Sequence, residues 1–144
     1  MSHVGEAVPG VSVVIPFYGV SAPPVAALQS VACQTLAARE VILVDDASPD
    51  PSVALSLITH PWPFDFRVIR HEVNRGPAEA RNTGWADATG QYVAFLDADD
   101  AWHSEKLAVQ IAWMESQPQY GWSAHRCRSR ARCESVRAIC HREL

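Results

Sequence analysis

Short apolar runs recur along this chain and limit the folds that are open to it. Runs at residues 11–15, 40–45 and 92–96 are rich in β-branched or aromatic residues and show no polar alternation. Such runs are typical of strands buried on both faces of a sheet. A further strand is predicted at residues 66–70.

Helical segments separate and follow these strands. They are predicted at residues 23–36, 51–58, 77–88 and 104–117. Ser21 and Ser104 are the expected N-caps of the first and last of these helices. Regular alternation of strand and helix predicts an α/β fold in which a mostly parallel sheet carries helices on both faces. Sheets of this kind bind ligands outside the carboxyl ends of their strands.

The composition changes abruptly near residue 125. Residues 126–144 hold six of the twelve Lys and Arg residues and three of the four cysteines, in a chain of 144 residues with a net charge of -4. We therefore predict one α/β domain over residues 1–125 and an Arg- and Cys-rich tail over residues 126–144 that is disordered or read out of frame. The tail lacks the close cysteine pair of common zinc sites, so no zinc site is predicted. The acidic remainder lacks the basic stripe of a nucleic-acid-binding face.

Targeting segments are not evident in the sequence. No apolar run reaches the ~20 residues that a membrane helix needs, and residues 1–10 lack the basic and apolar blocks of a signal peptide. The sequence therefore predicts a cytoplasmic chain without a transmembrane segment, with peripheral attachment to a membrane left open. The cysteines are accordingly expected to be free thiols.

Acidic residues follow two of the predicted strands where each strand ends. Asp45 and Asp46 close the second strand, and Asp97, Asp99 and Asp100 follow the fourth. Three carboxylates within four residues repel one another, so we expect them to share a cation. Oxygen-only ligands suit Mg²⁺ or Mn²⁺, which takes one or two carboxylates and completes its shell with substrate phosphates and water.

Asp97 and Asp99 are preferred to Asp100 as metal ligands, because residues two apart in an extended backbone point to one side. The alternative for this cluster is a solvated turn before a helix, where acidic residues are also favoured. For Asp45 and Asp46 the alternative is an Asx-type turn. Acidic residues follow two separate buried strands, so an explanation by turns alone must apply twice. We therefore favour a binding site.

Five motifs, in this order, resemble the N-terminal half of the family 2 glycosyltransferases, which have the GT-A fold. They are VSVVIPFY at residues 11–18, SVACQT at 30–35, VDDASPD at 44–50, NRGPAEARNTG at 74–84 and LDADD at 96–100. The resemblance covers residues 11–121 and implies a Rossmann-like nucleotide-binding half with an incomplete C-terminal part. It implies metal-dependent, inverting transfer of a sugar from a nucleotide-diphosphate sugar, a UDP-sugar first of all, to a hydroxyl of a saccharide or other acceptor.

The resemblance also implies roles for individual residues. Pro16, Tyr18 and Asp46 would line the donor pocket, with Asp46 accepting a hydrogen bond from the base. Arg81 would face the nucleotide, where a guanidinium pairs well with a phosphate or a base edge. The alternative for Arg81 is an ion pair on the helix surface.

In the LDADD motif, the resemblance places Asp97 near the ribose or the metal and makes Asp99 a metal ligand. The metal, Mg²⁺ or Mn²⁺, would stabilise the leaving nucleoside diphosphate. The family takes its general base from a later segment that this chain lacks, so no catalytic residue is assigned. A missing base is expected to lower the rate by about 10² to 10⁴. The first alternative is therefore a donor-binding fragment without transfer activity.

A second alternative comes from a different class, the phospho-accepting receiver domains of signalling proteins. These also pair two aspartates at one strand end with an aspartate at another. Against this interpretation, a strand and a helix precede Asp45, where a receiver would begin. In addition, Lys106 is the only lysine and lies in a predicted helix rather than after a later strand.

Overall fold

The computed structural model describes residues 9–19, 23–125 and 137–141. The elements in chain order are β1 (Val11–Phe17), α1 (Val25–Ala32), β2 (Glu40–Asp45), α2 (Ser52–Leu55), β3 (Asp65–Arg70), α3 (Pro77–Asp87), β4 (Tyr92–Phe95), α4 (Lys106–Ser116), β5 (Trp122–His125) and β6 (Arg137–His141). The four strands and four helices predicted from the sequence are therefore confirmed. Within the described ranges, none of the helices has the length and apolar character of a membrane span.

The strands form one sheet in the order β3-β2-β1-β4-β6-β5. The first four of these are parallel, with Phe17 opposite Asp45 and Val14 opposite Phe95. The predicted α/β class with a mostly parallel sheet is thus confirmed. The chain moves outward from β1 through β2 to β3 and then returns to place β4 on the other side of β1. This reversal is the topological switch point at which α/β sheets bind ligands, and β1 and β4 flank it.

Helices cover both faces of the sheet, which explains why the sequences of its central strands are continuous apolar runs. Val13 and Ile15 of β1 face a core that is closed by α1, α2 and α4. Val14, between them in sequence, faces the opposite side, where α3 packs. The alternation of side chains along a strand therefore gives β1 two buried faces instead of one.

Helix α3 lies unusually close to β1. A Cβ atom at Gly84 would lie 2.3 Å from Cγ1 of Val14, so the helix can take this position only because residue 84 has no side chain. Since α3 begins after β3, its first turns lie at the carboxyl edge of the sheet. This position brings Arg81 to that edge.

Two helices are shorter than the sequence predicts. Helix α1 ends at Ala32 instead of residue 36, because the amide of Thr35 donates to the carbonyl of Ser104 at 2.8 Å and leaves the helical pattern. Helix α2 covers only Ser52–Leu55, and the residues after it form tight turns in which Leu57 and Ile58 donate to carbonyls three residues back.

The predicted cap of the last helix is wrong. Helix α4 begins at Lys106 and has no side-chain cap from Ser104. One of its first amides is instead bonded by the turn that follows α1, because Leu107 N donates to Oε1 of Gln34 at 3.0 Å. Ser21, the predicted cap of the first helix, lies outside the described residues.

The antiparallel strands β5 and β6 were not predicted. Strand β6 pairs with β4 on one side and β5 on the other. Five residues of the predicted tail, Arg137–His141, thus belong to the sheet. The proposed division of the chain at residue 125 stays a prediction, since residues 126–136 and 142–144 lie outside the described ranges.

Candidate functional site

A cleft of about 790 Å³ opens at the carboxyl edge of the sheet, where β1, β2 and β4 end. Six residues that the resemblance assigns to the donor and metal sites contribute to its lining: Pro16, Tyr18, Asp46, Arg81, Asp97 and Asp99. They come from four separate segments, which the parallel topology brings to one place. The cleft therefore lies at the switch point of the sheet.

The end of β1 forms one wall of this cleft. Pro16 lies opposite Val44 within the sheet, so β1 continues two residues beyond the apolar run predicted at residues 11–15. Tyr18, directly after the strand, exposes its ring and can pack against a planar group in the cleft. The amide of Gly19 donates to the hydroxyl of Ser48 at 3.0 Å, which ties this wall to the turn after β2.

The two aspartates at the end of β2 do different things. Asp45 is buried and makes structural contacts: it accepts a hydrogen bond from the amide of Ser48 at 2.9 Å and pairs with Arg70. The chain then turns at Ala47, which has a φ of 61°. The Asx-type turn considered above thus describes Asp45, whereas Asp46 faces the cleft.

Asp46 is held by three donors although only 3% of its surface is exposed. Oδ1 accepts from the amide of Arg75 at 2.8 Å and from Nδ1 of His71 at 2.7 Å, and Oδ2 accepts from the amide of Gly76 at 2.7 Å. Burial alone would raise the pKa of Asp46, but these hydrogen bonds more than offset burial and hold the pKa below its ordinary value. The carboxylate is therefore charged at neutral pH and fixed in orientation.

His71 is a residue of this site that sequence reasoning missed. Its ring is 6% exposed and lies between Asp46 and helix α3, where Nε2 is 2.8 Å from the hydroxyl of Thr83. A lone histidine forms no pattern in a sequence. The one available signal was its position directly after β3, at the edge where site residues were expected.

Arg81 and Asp97 meet within the lining of the cleft. Nη2 of Arg81 donates to Oδ1 of Asp97 at 2.7 Å. The ion pair that was considered as the alternative for Arg81 is therefore present, but it lies in the site and involves another predicted site residue. Helix α3 and the end of β4 are joined by this contact.

The backbone of the LDADD motif was expected to be extended, and that expectation is wrong. The amide of Asp100 donates to the carbonyl of Asp97 at 3.1 Å, so the segment forms a turn. Asp97 and Asp99 nevertheless both line the cleft, and Asp100 does not. The carboxylate of Asp99 is exposed and makes no hydrogen bond or ion pair with the described residues.

The charge of the cleft restricts what it can bind. The described residues of its lining include three carboxylates, of Asp46, Asp97 and Asp99, and one guanidinium, of Arg81. An anion such as a diphosphate would be repelled unless a cation came with it. In the described part of the chain, no group of three or more His, Cys, Asp or Glu residues could hold a metal. Two carboxylates fit Mg²⁺ or Mn²⁺ only if ligand oxygens and water complete its shell.

Comparison with known proteins identifies relatives that are longer than this chain. A model of the family described as Glycosyl transferase family 2 matches residues 12–133. An uncharacterized glycosyltransferase of Rickettsia felis is 40% identical over 106 residues, which are 73% of this chain and 17% of that protein. The chain thus spans less than one fifth of this curated relative.

Solved structures share the fold. S. aureus TarS 1-349 in complex with UDP-GlcNAc has a TM-score of 0.65 and 28% identity, over 76% of this chain and 32% of that one. The mannosyltransferase PcManGT from Pyrobaculum calidifontis, in complex with GDP-Man and Mn²⁺, has a TM-score of 0.68 and 32% identity, over 81% of this chain and 35% of that one. The Rossmann-like GT-A architecture expected from the sequence agrees with both.

Proposed function

The chain belongs to glycosyl transferase family 2, and from this membership we propose that its cleft binds the nucleoside diphosphate part of a sugar donor. The activity proposed for the protein is transfer of the sugar from a nucleotide-diphosphate sugar to a hydroxyl of a saccharide or other acceptor, with inversion. The observation that carries the proposal is the convergence of Asp46, Arg81, Asp97 and Asp99 on one cleft at the switch point.

The base end of the donor is assigned to the wall formed by β1 and the end of β2. Pro16 and Tyr18 would line the base, and Asp46 would accept a hydrogen bond from it. A carboxylate has about four acceptor positions, and the three donors around Asp46 leave capacity on Oδ2. The N3–H of uracil can donate to such an acceptor, as can the N3–H of thymine and the N1–H of guanine, and we take a UDP-sugar as the first donor to test. TarS, a structural relative, was solved with UDP-GlcNAc.

The diphosphate end is assigned to the side of the cleft that contains Arg81, Asp97 and Asp99. We propose that Asp99 and Asp97 hold Mg²⁺ or Mn²⁺ together with the donor phosphates, because the excess of carboxylates would otherwise repel the diphosphate. The metal would supply stabilisation of the negative charge on the leaving diphosphate. Arg81 would orient Asp97 and add a second positive charge. PcManGT, another structural relative, was solved with Mn²⁺.

In the proposed transfer, the bond between the anomeric carbon and the diphosphate breaks while the acceptor oxygen bonds to that carbon from the opposite face. The acceptor hydroxyl must lose its proton to a general base. None of the described residues is assigned this role, and we place the base outside this chain. A chain that binds the donor but does not transfer the sugar therefore remains the alternative function.

The receiver-like alternative is not supported. Lys106 lies over the ring of Trp102, with Nζ 3.6 Å from the ring centroid, and is not part of the cleft lining. No other residue of the chain is a lysine.

Thermal unfolding of the purified chain with UDP, GDP or dTDP, each with and without Mn²⁺, tests the donor site. A ligand at a hundred times its dissociation constant stabilises the folded state by about 2.7 kcal/mol. We expect the largest rise in Tm with UDP and Mn²⁺ together, and we expect Asp99→Ala to abolish the Mn²⁺-dependent part of that rise.

Asp65→Ala is the matched control, because Asp65 is 77% exposed and lies at the amino end of β3, opposite the cleft. It should keep the full ligand response. A wild-type chain whose Tm responds to no nucleotide, or an Asp99→Ala variant with an unchanged response to Mn²⁺, would contradict the proposal.

A further inference from the structure

Asp46, His71 and Thr83 form a chain of hydrogen bonds that leads away from the cleft. Only Asp46 lines the cleft, while His71 and Thr83 lie behind it. Because a carboxylate only accepts hydrogen bonds, Nδ1–H of His71 donates to Oδ1 of Asp46 at 2.7 Å. In a neutral imidazole, Nε2 then accepts from the hydroxyl of Thr83 at 2.8 Å. These two hydrogen bonds connect the end of β2 to the middle of α3.

The other two donors to Asp46 do not have this connection to the core. The amides of Arg75 and Gly76 belong to the loop between β3 and α3. His71 follows β3 directly, and its own amide donates to the carbonyl of Asp45 at 2.9 Å. The backbone of His71 is therefore fixed by the sheet. Of the three donors to Asp46, His71 is the one that anchors the carboxylate to the sheet, whereas the other two anchor it to the loop.

We propose that His71 is a positioning residue for nucleoside recognition, which holds the Asp46 carboxylate in the orientation that accepts the base, and that Thr83 holds the His71 ring. This inference rests on the proposed function, because it assigns a purpose to the orientation of Asp46 within the donor site. It predicts that damage to the chain of hydrogen bonds weakens recognition of the base and leaves recognition of the diphosphate intact.

Three variants test the two hydrogen bonds of the His71 ring separately. His71→Leu removes both hydrogen bonds of the ring. His71→Asn keeps a short amide donor near the position of Nδ1 but does not reach Thr83. Thr83→Val keeps the shape of residue 83 and removes its hydroxyl. Dissociation constants for UDP with Mn²⁺, measured by calorimetry on variants that unfold cooperatively, should rise about tenfold for His71→Leu and about threefold for Thr83→Val. His71→Asn should stay within about threefold of the wild type.

A second ligand distinguishes positioning from a general loss of structure. The 5′-diphosphate of 3-methyluridine lacks the imide N–H that Asp46 is proposed to accept. It should bind the wild type more weakly than UDP does, and its affinity should not change in His71→Leu. A variant that merely loosens the fold would lose affinity for both ligands in parallel.

The outcomes separate the two proposals. A wild-type chain that binds no UDP would contradict the donor site and this inference together. UDP binding by the wild type with an unchanged affinity in folded His71→Leu would overturn the role of His71 alone. If His71→Leu does not fold, Thr83→Val decides, and wild-type affinity for UDP in that variant would overturn the inference.

Discussion

Arg81 of α3 and Asp97 at the end of β4 form a 2.7 Å ion pair inside the candidate donor cleft. Both side chains are more than a third exposed, so the pair adds little to the stability of the fold. Its position suggests a different purpose. Among the described residues of the lining, Arg81 is the one guanidinium beside three carboxylates, and it holds one of the two proposed metal ligands.

Replacement of Arg81 by Met should therefore separate binding from stability. We expect the free energy of unfolding to change by less than about 1 kcal/mol, because an exposed ion pair contributes little. The dissociation constant for UDP with Mn²⁺ should rise about tenfold, since a charge-assisted contact and the orientation of Asp97 are both lost. Urea denaturation and calorimetric titration measure the two quantities.

Arg39→Met is the control for this variant. Arg39 is exposed and precedes β2, at the edge of the sheet opposite the cleft. It should leave both the stability and the UDP affinity close to the wild-type values. Equal losses of UDP affinity in Arg39→Met and Arg81→Met would show that net charge, and not the local pair, determines binding.

The lowered pKa of Glu40 allows a prediction of how the free energy of unfolding depends on pH. Glu40 is 2% exposed, at the start of β2, and accepts hydrogen bonds from Ser12, Thr89 and Arg67. Burial alone would raise the pKa of Glu40, but these contacts more than offset burial and hold the pKa below its ordinary value of 4.5. A carboxylate with a lowered pKa contributes stability above the pKa of the unfolded chain and loses it as the pH falls through the folded pKa.

We therefore expect Glu40→Gln to lower the free energy of unfolding by about 2 to 3 kcal/mol at pH 7, since Arg67 and the Thr89 amide lose a charged acceptor. The difference from the wild type should shrink as the pH falls below about 4.5. Urea denaturation at a series of pH values from 7 to 3 measures it. A difference that stays constant over this range would show that the carboxylate charge is not what stabilises the site.

Gly84 allows a prediction about packing. A Cβ atom at this position would lie 2.3 Å from Cγ1 of Val14, and Val14 is fully buried. Gly84→Ala should destabilise the fold by about 2 to 3 kcal/mol, because the helix must move away from β1. The second change Val14→Ala should recover part of this loss by making room, which a double-mutant cycle in urea detects. Asn82→Ala, exposed on the same helix, should change the stability by less than about 0.5 kcal/mol.

Much of the fold and site could be predicted because a few physical rules act strongly here. Strands that are buried on both faces must be apolar throughout, so β1, β2 and β4 were recognisable. The carboxyl ends of parallel strands must meet at one edge, so Asp46, Asp97 and Asp99 could be placed in one site before their contacts were known.

The features that were missed depend on contacts between distant parts of the chain. Strands β5 and β6 pair with each other and with β4, and β6 lies in a segment whose composition suggested a tail. Helix α1 ends early because the amide of Thr35 bonds to Ser104, 69 residues away in sequence. His71 is one polar residue without a pattern, and only the fold brings it to Asp46 and Thr83.

A last prediction concerns Gln34, which lies just after α1 and connects the end of that helix to the segment that follows the LDADD motif. Its Nε2 donates to the carbonyl of His103 at 2.8 Å, and its Oε1 accepts from the amide of Leu107 at 3.0 Å. The side chain is buried, so Gln34→Met should leave both groups without their partner and lower the free energy of unfolding by about 2 kcal/mol. Urea denaturation measures this loss.

The same variant should also affect the donor site. The residues between Asp99 and α4 are held from the α1 side by Gln34 and Thr35, and a looser segment would let Asp99 leave the orientation required for the metal. We expect the dissociation constant for UDP to rise a few-fold in the presence of Mn²⁺ and to stay unchanged without it, because only the metal-dependent contact involves Asp99. Gln29→Met, at an exposed position of α1 five residues before Gln34, should change neither quantity. A loss of stability in Gln34→Met with full retention of the Mn²⁺-dependent affinity would show that the turn holding Asp99 is rigid without support from α1.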